Sequence, residues 1–323
     1  MMNEDVTPNP GKPPLLTVVV PCYNEQDAVH EIVRKLKKVL VDIASRGEIA
    51  GDSAILFVDD GSSDDTWSLI VRYAADDSAV HGLKLSRNFG HQSAILAGML
   101  RAGGDVVITI DADLQDPPEI ISDMMRAHRA GAEIVFGVRD DRSVDSGFKR
   151  FTAEIYYRLL RSMGANVIFN HADFRLLGRT ALEALRDYGE TNLFLRGIVQ
   201  LLGFRQALVF YRREPRFSGE TKYSLRKMFR LSLDGITSFS TLPLRLITLA
   251  GFSVSFLAFC AGLWAFAAWF YKADTVPGWT SVVLPMYFLG GIQLLSIGIL
   301  GEYLGKNYIE TKRRPRFIVD KSI

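Results

Sequence analysis

The sequence predicts an α/β protein, a Rossmann-like and mostly parallel sheet covered by helices, that ends in a two-helix transmembrane hairpin. Three observations carry this. From residue 15 to about 215, short apolar runs rich in β-branched residues alternate with segments whose apolar residues recur at helical spacing. Several of those runs close on a polar or acidic cluster. Leu246 through Tyr271 contains no charged residue, and neither does Thr275 through Gly301.

The opening MMNEDVTPNPGKPP is polar and proline-rich with no apolar stretch, so residues 1–14 are expected to form a disordered tail and not a signal peptide. LLTVVVP (Leu15 to Pro21) reads as the first strand. Val29, Ile32, Val33, Leu36, Val39, Leu40 and Ile43 follow on one helical face. AILFVDD (Ala54 to Asp60) is the next strand, then a helix carrying Trp67, Ile70, Val71 and Ala74. GLKLS, a helix around Ile95 to Leu100, and VVITID (Val106 to Asp111) repeat the unit. Continuous apolar strands with helical crossovers mean a sheet covered on both faces, with ligands beyond the carboxyl ends of its strands. This domain is expected over 15–222.

Between Tyr223 and Leu242, Leu225, Phe229, Leu233 and Ile236 lie at helical spacing with Arg226, Lys227 and Arg230 among them. Residues 223–245 therefore read as amphipathic helices, either in the lipid interface or packed on the domain. The 26 uncharged residues from Leu246 would reach roughly 39 Å as a helix, enough for a hydrocarbon core of about 30 Å. The predicted spans are 246–271 and 279–301, with 302–323 a cytoplasmic tail. Lys272 is the one cation between them, whereas Arg226, Lys227, Arg230 and Arg245 precede and Lys306, Lys312, Arg313, Arg314 and Arg316 follow. That bias places both termini and everything before Leu246 in the cytoplasm, on a two-span protein expected in the cell inner membrane. Gly290, Gly291, Gly298 and Gly301 permit close helix packing, compatible with a homo-oligomer such as a tetramer.

Composition narrows the chemistry. A net charge of +2 gives no reason to expect nucleic acid, and two cysteines, Cys22 and Cys260, allow no disulfide framework or cysteine-built zinc site. Cys22 reads as a packing residue. No G-x-G-x-x-G or G-x-x-x-x-G-K-[ST] occurs, so the glycine loops of dinucleotide and P-loop sites are missing. The strands end instead in Pro21-Cys22-Tyr23-Asn24-Glu25, Asp59-Asp60-Gly61-Ser62-Ser63-Asp64, Ser86-Arg87-Asn88-Phe89-Gly90 and Asp111-Ala112-Asp113-Leu114-Gln115-Asp116. Acidic residues at a phosphate-binding edge imply a divalent cation between acid and phosphate. Asp111 and Asp113, two apart at a strand end, suit Mg2+ or Mn2+. Asp60 is expected to contact ligand, and Asp64 to cap a helix. His91 is expected either to touch the ligand or to be structural.

These residues resemble the family 2 glycosyltransferases of GT-A fold, and within them the polyprenyl-phosphate glycosyltransferases, the group of dolichyl-phosphate mannose synthase, GtrB bactoprenol glucosyltransferase and the aminoarabinose transferase ArnC. The motifs are VPCYNEQ, VDDGSSDDT, LSRNFGHQSAI, DADLQDPPE, ADFRLL, REPRFSGETKY, DGITSFSTLPLR and LGGIQLLSIGILGEYLGKNYIETKRRPRF. The last three and the hairpin are closest to the GtrB branch. The resemblance implies that Pro21, Tyr23, Glu25 and Asp60 meet the nucleotide. It implies that Asp111, Asp113 and Gln115 surround the metal and the sugar diphosphate, and that Arg139, Arg150, Arg216 and Lys222 handle the acceptor phosphate or the diphosphate. Asp113, Asp173 and Lys222 are the implied catalytic residues. Two positions depart from the group: His171-Ala172 where relatives often have glycine, and Glu154 where dolichyl-phosphate relatives have serine.

The implied reaction is an inverting transfer of a hexose, glucose from UDP-glucose, to undecaprenyl or another polyprenyl phosphate, for glycan or O-antigen modification. No residue separates glucose from mannose or a modified arabinose, and a non-catalytic nucleotide-sugar-binding subunit is the third reading. A lipid phosphate is already an anionic nucleophile, so a strong general base is less necessary than for a sugar hydroxyl. Asp173 is accordingly expected to orient the acceptor or bind the metal in preference to abstracting a proton. The Q-x-x-R-W signature of processive synthases is absent, in keeping with a single transfer.

Overall fold

The computed structural model describes residues 12–140, 171–191, 195–212, 242–270 and 279–323. The N-terminal tail before residue 12, the amphipathic segment 223–241, and Arg150, Glu154, Arg216 and Lys222 lie outside the described residues. In chain order the first part is β1 (Leu16–Cys22), α1 (Gln26–Ser45), β2 (Ala54–Asp59), α2 (Thr66–Asp76), β3 (Val80–Leu85), α3 (His91–Arg101), β4 (Val106–Thr109), α4 (Ile120–Arg129) and β5 (Ile134–Arg139). There follow β6 (His171–Gly178), α5 (Arg179–Arg186), α6 (Leu195–Leu201), β7 (Gln206–Tyr211), α7 (Leu242–Phe270), α8 (Trp279–Thr311) and β8 (Val319–Ser322).

Among the described residues, the eight strands form one sheet in the order β7-β5-β6-β4-β1-β2-β3-β8. β4, β1, β2 and β3 are parallel, as the βα repeats predict, and β7 is parallel to β5. β6 runs antiparallel between β4 and β5, and β8 antiparallel on β3. The mostly parallel sheet therefore carries two reversed strands, because β6 inserts between its neighbours and β8 arrives from the far end of the chain.

The seven apolar residues expected on the α1 face are all buried against the sheet. On α2 only Thr66 and Ile70 are fully buried and Val71 is exposed, so that helix shows the sheet a narrower stripe than its sequence suggests. α3 lies close on β1: a methyl group added at Gly98 would sit 2.2 Å from Val19 Cγ1 and 2.9 Å from Val58 Cγ2. Burying a Leu, Val or Ile side chain contributes about 1.5–3 kcal/mol, so the wholly buried strands β1 and β4 anchor the domain.

α7 and α8 form a separate unit. One stretch of the described residues, Phe288–Thr311, is long and apolar enough to cross a membrane by length and composition, and it is unburied. Phe252, Phe256, Trp264, Met286, Phe288 and Leu294 are all exposed, a surface suited to lipid. α8 does not stop at residue 301; it runs ten residues further, since Gly301 and Gly305 are tolerated in the helix, and ends before Arg313, whose φ is 45°. Nor is 302–323 a plain tail, because its last residues are β8.

Candidate active site

The carboxyl ends of β1, β2 and β4 and the segment after β3 meet in one polar region. The first two loops are laced together: Asn24 N–H donates to Ser62 Oγ (2.9 Å), Ser63 N–H to Asn24 Oδ1 (2.9 Å) and Glu25 N–H to Thr66 Oγ1 (2.9 Å). Asn24 takes φ 54°, a left-handed value that asparagine tolerates. Asp64 accepts from Thr66 N–H (3.1 Å) and Gln26 N–H (3.3 Å), the turn-and-cap role expected of it. Tyr23 is exposed at this edge, while Pro21 closes β1 in the interior.

Asp60 is buried, and its oxygens accept the backbone N–H groups of Phe89 (2.7 Å) and Gly90 (2.9 Å). Burial pushes its carboxyl up, against the lowering effect of those two amides. The geometry thus makes Asp60 the anchor of the 87–90 loop. Gly61 (φ 72°) allows this approach, because a Cβ there would meet Arg87 C at 2.6 Å. At the end of β2, Asp59 Oδ2 is buried with no hydrogen-bond partner among the described residues. Cys22 is buried and its thiol is pushed up by that burial and by nearby acids, which suits packing and not nucleophilic work.

The chemical centre lies where β4, β6 and α3 meet. His91, the first residue of α3, has Nε2 3.3 Å from Asp111 Oδ1 and 3.5 Å from Asp173 Oδ2. One ligand atom from each of His91, Asp111 and Asp173 lies within 4.8 Å of the others, so these three residues could hold a metal ion. Asp111 Oδ1 is buried without an aligned hydrogen bond, the kind of oxygen a hard cation satisfies. Burial alone would lower the His91 pKa; the two carboxylates of Asp111 and Asp173 beside its ring outweigh it and raise it to about 10. Asp113 accepts Gln115 N–H (3.2 Å) within the loop, where Leu114 has φ 53° and Gln115 is buried.

Asp173 is held from several sides. The wholly buried Arg175 contacts Oδ1 through Nη2. Arg196, half-exposed on α6, donates Nε–H to Oδ1 (3.3 Å) and Nη2–H to Oδ2 (3.1 Å). Gln92 donates to Oδ2 at 3.4 Å and accepts Leu195 N–H at 3.2 Å, tying α3 to α6. Burial raises the Asp173 carboxyl, but the His91 hydrogen bond and both guanidinium groups hold it well below the usual range. Such a carboxylate is a fixed anion and a poor proton acceptor.

Arg139, at the end of β5, donates Nε–H and Nη2–H to Asp116 (both 3.1 Å), and Tyr211 Oη donates to Asp116 Oδ1 at 2.6 Å. This buried triad ties the loop after β4 to β5 and β7. Sequence reasoning expected Arg139 on a phosphate; here its guanidinium also fixes Asp116. It missed Asp116, Arg175, Arg196 and Tyr211. For Arg175 a signal existed, since residues two apart on a strand share a face.

A glycosyl transferase family 2 model matches residues 17–186, more than half of the chain. The chain belongs to glycosyl transferase family 2. As a family member it is a glycosyltransferase, and the α/β sheet is of the GT-A kind. It is 49% identical over 95% of its length, and 91% of the relative, to the uncharacterized glycosyltransferase YkoT of Bacillus subtilis. It is 40% identical to the prophage bactoprenol glucosyl transferase homolog of Escherichia coli K12, over 95% of this chain and 98% of that one. The solved mannosyltransferase PcManGT of Pyrobaculum calidifontis, in complex with GDP-Man and Mn2+, covers 94% of this chain and 87% of its own, at 18% identity and a TM-score of 0.42.

Proposed function

We propose that the protein transfers a hexose, glucose from UDP-glucose, to undecaprenyl or a similar polyprenyl phosphate at the cytoplasmic face of the membrane, with inversion at the anomeric carbon. The observation that carries this is the 40% identity, over 95% of this chain, to a bactoprenol glucosyl transferase homolog, in a chain that brings Asp111 after β4, His91 at the start of α3 and Asp173 of β6 together. Pro21, Tyr23 and Glu25 line the nucleotide side, with Asp60 keeping the 87–90 loop against it.

Asp111 and Asp113, with Gln115 beside them, would hold a Mg2+ or Mn2+ ion, which would supply Lewis-acid neutralisation of the departing diphosphate. The rest falls to the chain's own side chains. The fixed negative charge of Asp173 orients His91 and Arg196 at the reacting centre and takes no proton. Arg139, Arg150, Arg216 and Lys222 offset the repulsion between the two phosphates being brought together. The lipid phosphate attacks C1 from the side opposite the leaving group.

The membrane arrangement is supported by a parity argument. β8 pairs with β3 in the sheet that also contains β1, so the chain must re-enter the compartment it left and cross the bilayer an even number of times. If α8 spans, a second crossing is needed, and the 29-residue α7, about 44 Å long, supplies it. The basic residues flanking the pair favour the cytoplasm for both ends.

The test is incubation of purified protein with undecaprenyl phosphate, Mg2+ or Mn2+ and a panel of radiolabelled nucleotide sugars. Label from UDP-glucose entering the organic phase, and its loss in Asp111→Asn, is the expected result. Label from another donor alone would replace glucose. Full transfer by Asp113→Asn would overturn the metal assignment.

A further inference from the structure

We infer that Asp116 is a positioning residue of the metal loop, clamped by Arg139 and Tyr211 so that Asp111 and Asp113 meet one cation. This rests on the metal assignment proposed above.

The loop from Asp111 to Asp116 is pinned at both ends. Just before it, Ile110 N–H donates to Val19 O (3.0 Å), which ties the chain to β1. At its end the Asp116 carboxylate is fully buried and accepts Nε–H and Nη2–H of Arg139 (both 3.1 Å) and the Tyr211 hydroxyl (2.6 Å). Three strands, β1, β5 and β7, therefore set the span on which the two metal-site aspartates stand.

Between the pins the chain is bent against its preference. Leu114 has φ 53°, a left-handed value that leucine rarely takes, and its side chain is buried. Such a turn persists only where its surroundings hold it. Asp113 accepts Gln115 N–H across the bend, and the clamp begins at the next residue. Releasing Asp116 lets Leu114 relax, and Asp113 turns with it.

The chemistry of the clamp points to placement more than to bulk stability. Burying a carboxylate and a guanidinium forfeits hydration that their attraction only offsets, so apolar side chains of similar volume would hold the sheet about as well. What the directed bonds add is a single position. Tyr211 is itself fixed: Phe174 meets its ring edge-on with centroids 5.8 Å apart, and Asp140 N–H donates to its carbonyl (2.8 Å). Gly137 leaves room for that ring, since a Cβ there would lie 3.0 Å from Tyr211 Cε1. The Asp111 charge also reaches Asp116 and opposes it, so Arg139 is what lets both acids share one short loop.

The experiment uses the full chain in nanodiscs, as wild type, Tyr211→Phe, Asp116→Asn and Ile70→Ala. Ile70 is buried in α2 against β3, where a Cβ on Gly82 would lie 2.8 Å from its Cγ2, and its variant is the destabilised control. Mn2+ affinity in the presence of UDP is read by electron paramagnetic resonance, beside melting temperature, uridine affinity without metal, and kcat as Mn2+ is raised. Loss of a side chain that fixes metal ligands costs about 10–100-fold in affinity, so Asp116→Asn is expected to weaken Mn2+ about tenfold and Tyr211→Phe, which keeps Arg139, about threefold. Uridine affinity should hold, and saturating Mn2+ should restore kcat in Tyr211→Phe. Ile70→Ala should melt lower with Mn2+ affinity unchanged. Tyr211→Phe decides alone where Asp116→Asn does not fold. Wild-type Mn2+ affinity in Tyr211→Phe, or the same weakening in Ile70→Ala at an equal loss of melting temperature, would overturn the inference. A wild-type protein that holds Mn2+ with UDP but labels no lipid phosphate sinks the acceptor reading only; one that holds no Mn2+ sinks the metal assignment and this inference together.

Discussion

Replacing Tyr211 by Phe removes one oxygen atom from the buried triad and tests whether the loop after β4 is braced from β7. The hydroxyl donates to Asp116 Oδ1 at 2.6 Å, a short bond to a carboxylate that is 0% exposed. Burial and the neighbouring Asp116 charge push the Tyr211 phenol above its ordinary value, so it remains a donor across the working pH range. A hydrogen bond to a charged group contributes about 1.5–3 kcal/mol. Arg139 still meets both Asp116 oxygens, so the carboxylate keeps a partner and the cost should stay within that range. For a domain of this size about 1 kcal/mol corresponds to roughly 2–4 °C, giving a fall of about 3–12 °C in the melting temperature of Tyr211→Phe. Thermal unfolding of purified protein followed by tryptophan fluorescence measures it. A shift below about 1 °C would refute the bracing role, because a buried charge-assisted bond cannot be removed at no cost.

Four further outcomes are expected. Gly98→Ala drives a methyl group to 2.2 Å from Val19 Cγ1, and overpacking of this kind should cost about 1–3 kcal/mol in a denaturation series. Asp173→Asn leaves the buried Arg175 without its counter-charge and should cost about 3–5 kcal/mol at neutral pH. Because the folded Asp173 pKa is depressed, its contribution is complete above the unfolded value of about 4 and is lost as pH falls through the folded value, so the wild-type advantage over Asp173→Asn in melting temperature should narrow below about pH 4. Truncation after Phe317 removes β8 and the bond from Ser86 N–H to Ile318 O (2.9 Å), which steadies the start of the 87–90 loop; UDP affinity should fall severalfold by calorimetry.

Much of the architecture could be read before any coordinates because its periodicity was strong. The α1 stripe from Val29 to Ile43 repeats over a 20-residue helix and is buried as expected. α2 is only 11 residues long, so one misjudged position such as Val71 shifts the apparent face. Strand direction leaves no trace in an apolar run, which is why the reversal of β6 was not legible in ADFRLL. β8 reads as a short polar segment, VDKS, and only its distant partner β3 makes it a strand. At the site, the acidic strand ends were legible as chemistry. The division of labour among them was not: Asp60 looks like a ligand-facing acid until Phe89 and Gly90 are seen to occupy it. Asp173 and Arg196 are 23 residues apart and carry no shared motif, so their pairing emerges only from the fold.

The edge strand β8 is synthesised after both long helices. Until the ribosome has finished α7 and α8, the outer side of β3 has no neighbour, and its backbone amides are open to any passing strand. Closure of the sheet at β3 therefore waits for both helices. A chain that stalls before β8 is in place keeps an adhesive edge, the kind of surface through which partly folded chains aggregate.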